Sequence, residues 1–364
     1  MRNGRDNNFG ALRLVAALFV LRGHMQYLLG QSPIVFFGAG VENIGVKIFF
    51  LIGGYLITKS WCSDPNPIRY TAKRFFRIWP PLAACVLFSA LVIGPLCTQM
   101  PVSEYFASPG LWRYFRILLL YIYYDLPGVF TENPYPVAVN GSLWTLPVEV
   151  FMYVVIAVWF WLLAKCGGKE NMRFQQAGVL VLMGIVLILR FGFYPLGGGQ
   201  DVVVYGTSVN QMLTLIPFYV LGSVYATVIP HKSLNLPMAV CVFLAANCFL
   251  ASSPLHEFLR MLVLSYLVFS FAFATPVLRL PKWTEISYGV YLFGFPIQQF
   301  VVYFAMKLGW NLQHSNRILL VCLLLVVPVA FLSEFLVERP AGKLCKTICG
   351  KLSKYEKEKR GAEK

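Results

Sequence analysis

The stretch FGALRLVAALFVLRGHMQYLL, residues 9–29, decides the class of fold. It is apolar over about 20 residues, the length that crosses a bilayer as a helix, and Arg13 and His24 interrupt it. At about 100° per residue, positions eleven apart fall within about 20° of each other, so the cation and the imidazole share one stripe. The stripe is about 16 Å long at 1.5 Å per residue, which puts Arg13 towards one membrane edge and His24 towards the other. Ionisable side chains inside a span cost several kcal/mol unless a bundle interior or a wet cavity accommodates them, which marks the pair as a functional-site candidate. A structural alternative stands beside it, in which Arg13 snorkels to the interface and His24 satisfies a buried carbonyl.

Composition extends that reading to the whole chain. With 364 residues, 58% hydrophobic and only 13% charged, and a mean hydropathy of +0.65, the sequence predicts an all-α polytopic membrane protein. The net charge of +15 does not point to nucleic acid, because the basic residues fall in short loops between apolar runs, where the positive-inside rule explains them. The nine cysteines have no metal-ligand spacing, and none of the motifs calls for a metal.

Ten spans are expected, near 9–29, 44–61, 80–98, 144–164, 176–194, 210–229, 236–252, 258–276, 286–307 and 317–337. A further apolar piece, 112–124, is short for a crossing and reads as re-entrant or interfacial. If it does not cross, the segments 1–8, 59–79, 165–175, 230–235, 277–285 and 338–364 share a side and carry 22 of the 31 Lys and Arg. That predicts both termini in the cytoplasm and a long outer segment at 99–143. No small-residue cleavage site follows the first run, so it reads as a retained span. The chain divides into a membrane domain over 1–340 and a basic cytoplasmic tail over 341–364, charged and mobile towards its end.

Three further clusters carry candidate chemistry. IRYTAKRFFRIWP places Arg69, Lys73, Arg74 and Arg77 together, and Arg pairs bidentately with phosphate oxygens while Phe75, Phe76 and Trp79 offer a flat surface. Positive-inside bias explains the same residues without a ligand. NGSLWTLPVEVFMYV puts Glu149 inside the fourth span at the depth of His24, where a carboxylate would fix the imidazole tautomer of a general base; an idle Glu149 is the alternative. SYGVYLFGFPIQQF holds Gln298 and Gln299, which bond across helices at that depth. Glu334 and Glu338 in LSEFLVERP are placed to pair with Arg339 or the basic loop.

Together these stretches resemble acyltransferase family 3, multi-pass bacterial membrane proteins that include O-antigen, capsule and exopolysaccharide O-acetyltransferases. The resemblance rests on Arg13 and His24 in the first span, IFFLIGGYLIT (48–58), RFFRIWP (74–80), NGSLWTLPVEVFMY (140–153), ISYGVYLFGFPI (286–297) and VERP (337–340), in that order. The sequence departs from the family at Gly53, where Ser is frequent, at Lys47, where many members have Asp, and at Gly294, where many have His. It would be a stand-alone member.

The resemblance implies transfer of an acyl group, expected to be acetyl from cytoplasmic acetyl-CoA, to a hydroxyl of a lipid-linked glycan or polysaccharide at the outer side of the bacterial inner membrane. His24, Glu149 and Arg13 would be catalytic, and Arg69, Lys73, Arg74 and Arg77 would bind the donor. Membrane lipids are the other expected partners. Two other classes fit the bare residues: a transporter or flippase, for which intramembrane charges and broken helices are equally expected, and a non-catalytic scaffold.

Overall fold

Each apolar run folds as a helix, because inside a bilayer only hydrogen bonding within the segment satisfies its backbone. The computed structural model describes residues 7–168, 171–193, 201–249, 253–275, 277–278 and 285–362. The long helices are, in chain order, α1 (Phe9–Leu28), α2 (Val41–Ser63), α3 (Pro67–Phe88), α4 (Thr145–Leu163), α5 (Met172–Ile188) and α6 (Val209–Thr227). They continue with α7 (Leu236–Phe249), α8 (Pro254–Ala272), α9 (Ser287–Lys307), α10 (Ser315–Ser333) and α11 (Arg339–Ala362). Among the described residues the β-structure is two short hairpins, one pairing Val35–Phe36 with Ala39–Gly40 and one pairing Val203–Val204 with Thr207–Ser208, and isolated bridges at Thr98–Val129 and Asp125–Ala138.

Among the described residues, 8 helices are long and apolar enough to cross a membrane. Two of the ten expected spans fall short of that measure for physical reasons. Helix α1 has 20 residues, but Arg13, Arg22 and His24 dilute its hydropathy, and α7 has only 14. The ends of the expected spans at 194, 250–252 and 276, and parts of the basic segments 1–8, 165–175 and 277–285, lie outside the described residues.

The segment 112–124 forms no spanning helix. It consists of a turn of helix at Pro109–Tyr114, a 3-10 turn at Phe115–Leu119 and then irregular chain from Leu120, whose positive φ ends the turn. The path runs back alongside α3 and the π-turn that extends it at Ser89–Ile93. Tyr105 Oη donates to the Ala90 carbonyl at 2.7 Å, and further on Trp79 Nε1 donates to the Leu118 carbonyl at 3.0 Å. Ala90 and Trp79 are eleven residues apart, so the segment descends about 16 Å of helix.

Helices α2 and α6 cross with their backbones in contact. A Cβ on Gly54 would run into the carbonyl of Tyr219, and one on Gly222 into that of Leu51. Small residues let helix backbones approach closely where dispersion, rather than water exclusion, holds spans together. Helix α9 is tied across the bundle as its amides predict: Gln298 Nε2 donates to the Leu21 carbonyl of α1 at 2.8 Å, and Gln299 Nε2 donates to the carbonyls of Tyr135 and Ala138 at 2.8 Å.

Residues 341–362 of the segment 341–364, expected as a tail, continue the helix of the last span. Helix α10 passes through a π-turn at Glu334–Glu338 into α11, and the helix over 351–362, expected to be mobile, docks by its Glu356 on the start of α3.

Candidate functional site

Five charged side chains converge on one cavity of about 260 Å³: Arg13 of α1, Lys73, Arg74 and Arg77 of α3, and Glu149 of α4. The Arg and Lys of α3 recur at three- and four-residue spacing and therefore project from one face. Beyond them, Pro80 and Pro81 remove the backbone donors that would reach the carbonyls of Phe76 and Arg77, weakening the helix beside the cavity.

Arg74 is held at a fixed angle. Its Nη2 donates to Ser60 Oγ at 2.8 Å, and its guanidinium lies 5.3 Å from the ring centre of Tyr70 and 5.7 Å from that of Tyr153. Arg77 stands over the Tyr288 ring at 4.6 Å and pairs with Glu338 at 3.3 Å, while 45% of its side chain stays open to the cavity. Glu334 pairs with Arg339 at 3.0 Å, so both acids of the last span find the partners their positions suggest.

Glu149 projects from a rigid base. Before α4, Ser142 Oγ donates to Asn140 Oδ1 at 2.7 Å and Asn140 Nδ2 to the Leu292 carbonyl at 2.9 Å. Tyr291 Oη then donates to the Ser142 carbonyl at 2.7 Å and lies 2.5 Å from Thr145 Oγ1. One turn on, the Glu149 carboxylate accepts from Tyr153 Oη and lies within the field of Arg77, Arg74 and Arg13.

The structure separates residues that the sequence grouped. No hydrogen bond or ion pair joins His24 to Glu149 among the described residues; His24 instead meets the Phe295 ring edge-to-face, with centroids 5.2 Å apart. Glu149 lies at the level of Arg13, with which it shares the cavity, about 16 Å along α1 from His24. The carboxylate that packs against the His24 end of α1 is Glu42, buried beside Gly23, where it accepts from Tyr27 Oη at 3.3 Å and Asn43 Nδ2 at 2.8 Å. Sequence reasoning missed it because an acid in the first turn of a helix is explained by the helix dipole alone.

Arg69 is also set apart. It grips Asp64 through Nε and Nη2, the latter at 2.6 Å, and it pairs with Glu356 through Nη1. Lys73 Nζ reaches Asp64 at 2.8 Å, so it stands between this cluster and the cavity. Outside the spans, the hydrogen bonds from Arg69 hold the Asp64 carboxyl at about 2, well below the usual carboxylate range.

The cavity is further lined by tyrosines that the motifs did not single out. Tyr153 was legible, four residues after Glu149 and hence on its face. Tyr219 and Tyr288 were not. Their hydroxyls, like Arg74 Nε, are buried without a hydrogen-bond partner among the described residues. Orphaned buried donors in a cationic, ring-lined chamber suit an anionic ligand with several acceptor oxygens.

Comparison with known proteins identifies the family. Residues 6–334 match a family described as an acyltransferase domain. An O-acetyl transferase of Shigella phage Sf6 is 27% identical over 319 residues, covering 82% of this chain and 86% of its own. Nodulation protein 10 of Rhizobium leguminosarum bv. viciae is 27% identical over 383 residues, covering 94% and 95%. No solved structure matches. A charged, helix-enclosed chamber inside a bundle of spans, and a family match over nearly its whole length, make this chain a member of acyltransferase family 3 and hence a membrane acyltransferase.

Proposed function

We propose that the protein transfers an acetyl group from cytoplasmic acetyl-CoA to a hydroxyl of a cell-envelope glycan, such as O-antigen, capsule or exopolysaccharide, in the bacterial inner membrane with both termini cytoplasmic. The observation that carries this reading is the convergence of Arg13, Lys73, Arg74 and Arg77 on one chamber with orphaned donors. Arg74 and Arg77 grip the donor phosphates, Lys73 adds a third positive charge, and Arg69 braces Lys73 from behind through their shared Asp64. Glu149 and Tyr153 keep the arginines from collapsing on each other. Arg13, which shares this chamber and lies on the α1 stripe that leads to His24, adds its charge to the hold on the donor.

His24 takes the proton of the acceptor hydroxyl as that oxygen attacks the thioester carbonyl carbon. The carbon–sulfur bond breaks, the CoA thiolate leaves, and the proton held on the imidazole passes to it, so charge balances over the cycle. Glu149 does not orient His24 in this scheme; its place is among the donor-binding arginines.

The test is acetyl transfer from labelled acetyl-CoA by purified protein, with glycans from cells that carry or lack the protein weighed for an added acetyl mass. His24→Ala should lower transfer by about 100- to 10,000-fold, the usual effect of removing a general base. Transfer near the wild-type rate by a folded His24→Ala protein would refute the role, and an unchanged glycan mass in cells lacking the protein would refute the acceptor.

A further inference from the structure

The hairpin between α5 and α6 carries a bulky side chain where its turn favours a small one. Val203–Val204 pairs with Thr207–Ser208, so Tyr205 and Gly206 alone make the turn, at positive φ of +54° and +73°. A two-residue turn of that kind favours Asn or Asp before the Gly, because a larger side chain is strained there. The hairpin between α1 and α2 repeats the pattern with Phe37 and Gly38 at +51° and +75°. There burial offsets the strain: Phe37 is 4% exposed and packs on the Phe243 ring at 4.5 Å. Tyr205, by contrast, is 54% exposed, so the fold gains no comparable burial from its ring.

The turn is nevertheless fixed in place. Ile122 N–H donates to the Tyr205 carbonyl at 3.0 Å, Tyr124 Oη to the Gly206 carbonyl at 2.9 Å, and Thr207 Oγ1 to the Trp144 carbonyl at 3.0 Å. These bonds set Tyr205 beside Tyr121, with ring centres 5.7 Å apart, and Tyr121 stacks on Tyr123 at 5.0 Å. Arg116 lies 5.0 Å from the centre of the Tyr121 ring, and Arg113 pairs with Asp125 at 2.7 Å with about half of each side chain exposed. The row lies at the His24 end of the bundle. Val139 N–H donates to the Tyr124 carbonyl at 2.6 Å, and Tyr135 of the same stretch meets edge-on, at 6.4 Å, the Phe295 ring that packs on His24.

A sugar is the ligand that such a surface suits. The faces of a pyranose carry C–H groups, which pack on the electron-rich face of an aromatic ring, and its rim carries hydroxyls that both donate and accept. Tyrosine hydroxyls, two guanidiniums and a carboxylate answer both needs. A membrane anchor would use the same rings, but contact with headgroups calls neither for rings fixed at one angle nor for an exposed carboxylate.

We propose that Tyr205 and Tyr121, with Arg113, Arg116 and Asp125, form a saccharide subsite that seats a sugar of the acceptor chain away from the hydroxyl that reacts at His24. This rests on the reading of the acceptor as a glycan. The strained turn holds the Tyr205 ring out for stacking, and the subsite makes the enzyme read a chain rather than a lone sugar.

The test uses the full purified chain in nanodiscs. Lipid-linked and free glycans from cells lacking the protein are graded by length, from one repeating unit to several, and initial rates of acetyl transfer from labelled acetyl-CoA are measured against each. Tyr205→Asn is the informative variant, since Asn suits the turn and the thermal unfolding midpoint should equal or exceed that of the wild type. It should raise KM for the longer chains roughly three- to tenfold, as expected for one lost stacking contact, with kcat little changed, and the effect should fade towards a single unit. Tyr205→Trp keeps a stacking face and should stay close to the wild type on the longer chains. The subsite is overturned if Tyr205→Asn accepts every length with the wild-type KM, if it loses kcat equally on all of them, or if a folded Tyr205→Trp fails alongside it. A Tyr205→Asn protein whose midpoint falls in nanodiscs but not in detergent, with KM unchanged, identifies a membrane anchor and likewise overturns it. Should Tyr205→Asn not fold, Tyr121→Leu takes its place with the same outcomes. If the wild type acetylates no glycan of any length, the glycan reading itself fails and the subsite falls with it, whereas equal KM values for wild type and variant sink the subsite alone.

Discussion

Replacing Arg74 by Lys isolates the donor site more cleanly than any change at Arg77. Arg77 is the partner of Glu338, which is buried, and removing one member of such a pair costs about 3–5 kcal/mol because a charge is left uncompensated. A loss of function there would be indistinguishable from a loss of fold. Among the described residues Arg74 bonds the Ser60 hydroxyl and two ring faces and its Nε has no partner, so the folded state tolerates its loss. Lysine keeps the charge but gives up Nε and the planar fork. One charge-assisted bond is worth about 1.5–3 kcal/mol, which converts to roughly a 10- to 150-fold rise in KM for acetyl-CoA. The turnover number should change little, since phosphates far from the thioester are bound alike before and during reaction. Initial rates measured against acetyl-CoA, and separately against acetyl-pantetheine, which lacks every phosphate, give the answer. Arg74→Lys should impair the first donor and spare the second. A KM for acetyl-CoA within about twofold of the wild type, or an equal loss with acetyl-pantetheine, would show that Arg74 does not hold the phosphates.

Three other changes have definite outcomes. Tyr153→Phe removes the donor to Glu149 and should lower thermal stability by about 1–3 kcal/mol, with partial rescue by Glu149→Gln in the double variant; strict additivity of the two changes would show that the contact carries no energy. Asp64 has a depressed folded value, so its contribution is complete above about pH 4 and is lost as pH falls towards 2. Asp64→Asn should therefore lose about 1–2 kcal/mol near neutrality, a gap that closes on acidification in thermal melts; a gap that persists at low pH contradicts the ion-pair account. Gly54→Ala forces α2 away from the Tyr219 carbonyl and should cost about 1–3 kcal/mol or more in thermal denaturation, and a fully stable variant would mean that the crossing yields freely.

The helices were legible because apolar length and charge placement are properties of the chain alone. So was the stripe of Arg13 and His24, which follows from helical periodicity. What the sequence could not supply was how the elements sit against one another. Matching Glu149 to His24 assumed that α4 starts at the outer surface, whereas Glu149 lines the cavity that holds Arg13, Arg74 and Arg77, towards the other end of the α1 stripe. The same limit separated Arg69 from Arg74. Both are arginines of one motif; one is taken up by Asp64, five residues away and visible, and by Glu356, which no local pattern could reveal. That 112–124 forms no spanning helix was readable from its shortness, whereas its contact with Trp79 was not.

The grip of Glu356 on Arg69 also orders events during synthesis. The two residues are 287 apart, so at about 5–20 residues per second Arg69 leaves the ribosome roughly 15–60 s before its distant partner exists. Throughout that interval Asp64, made five residues earlier, is the anion within reach, and it holds Arg69 and Lys73 at the end of the helix. The basic segment is thus neutralised locally while the remaining spans are still being threaded into the bilayer, and the distant clasp closes on a segment already in place.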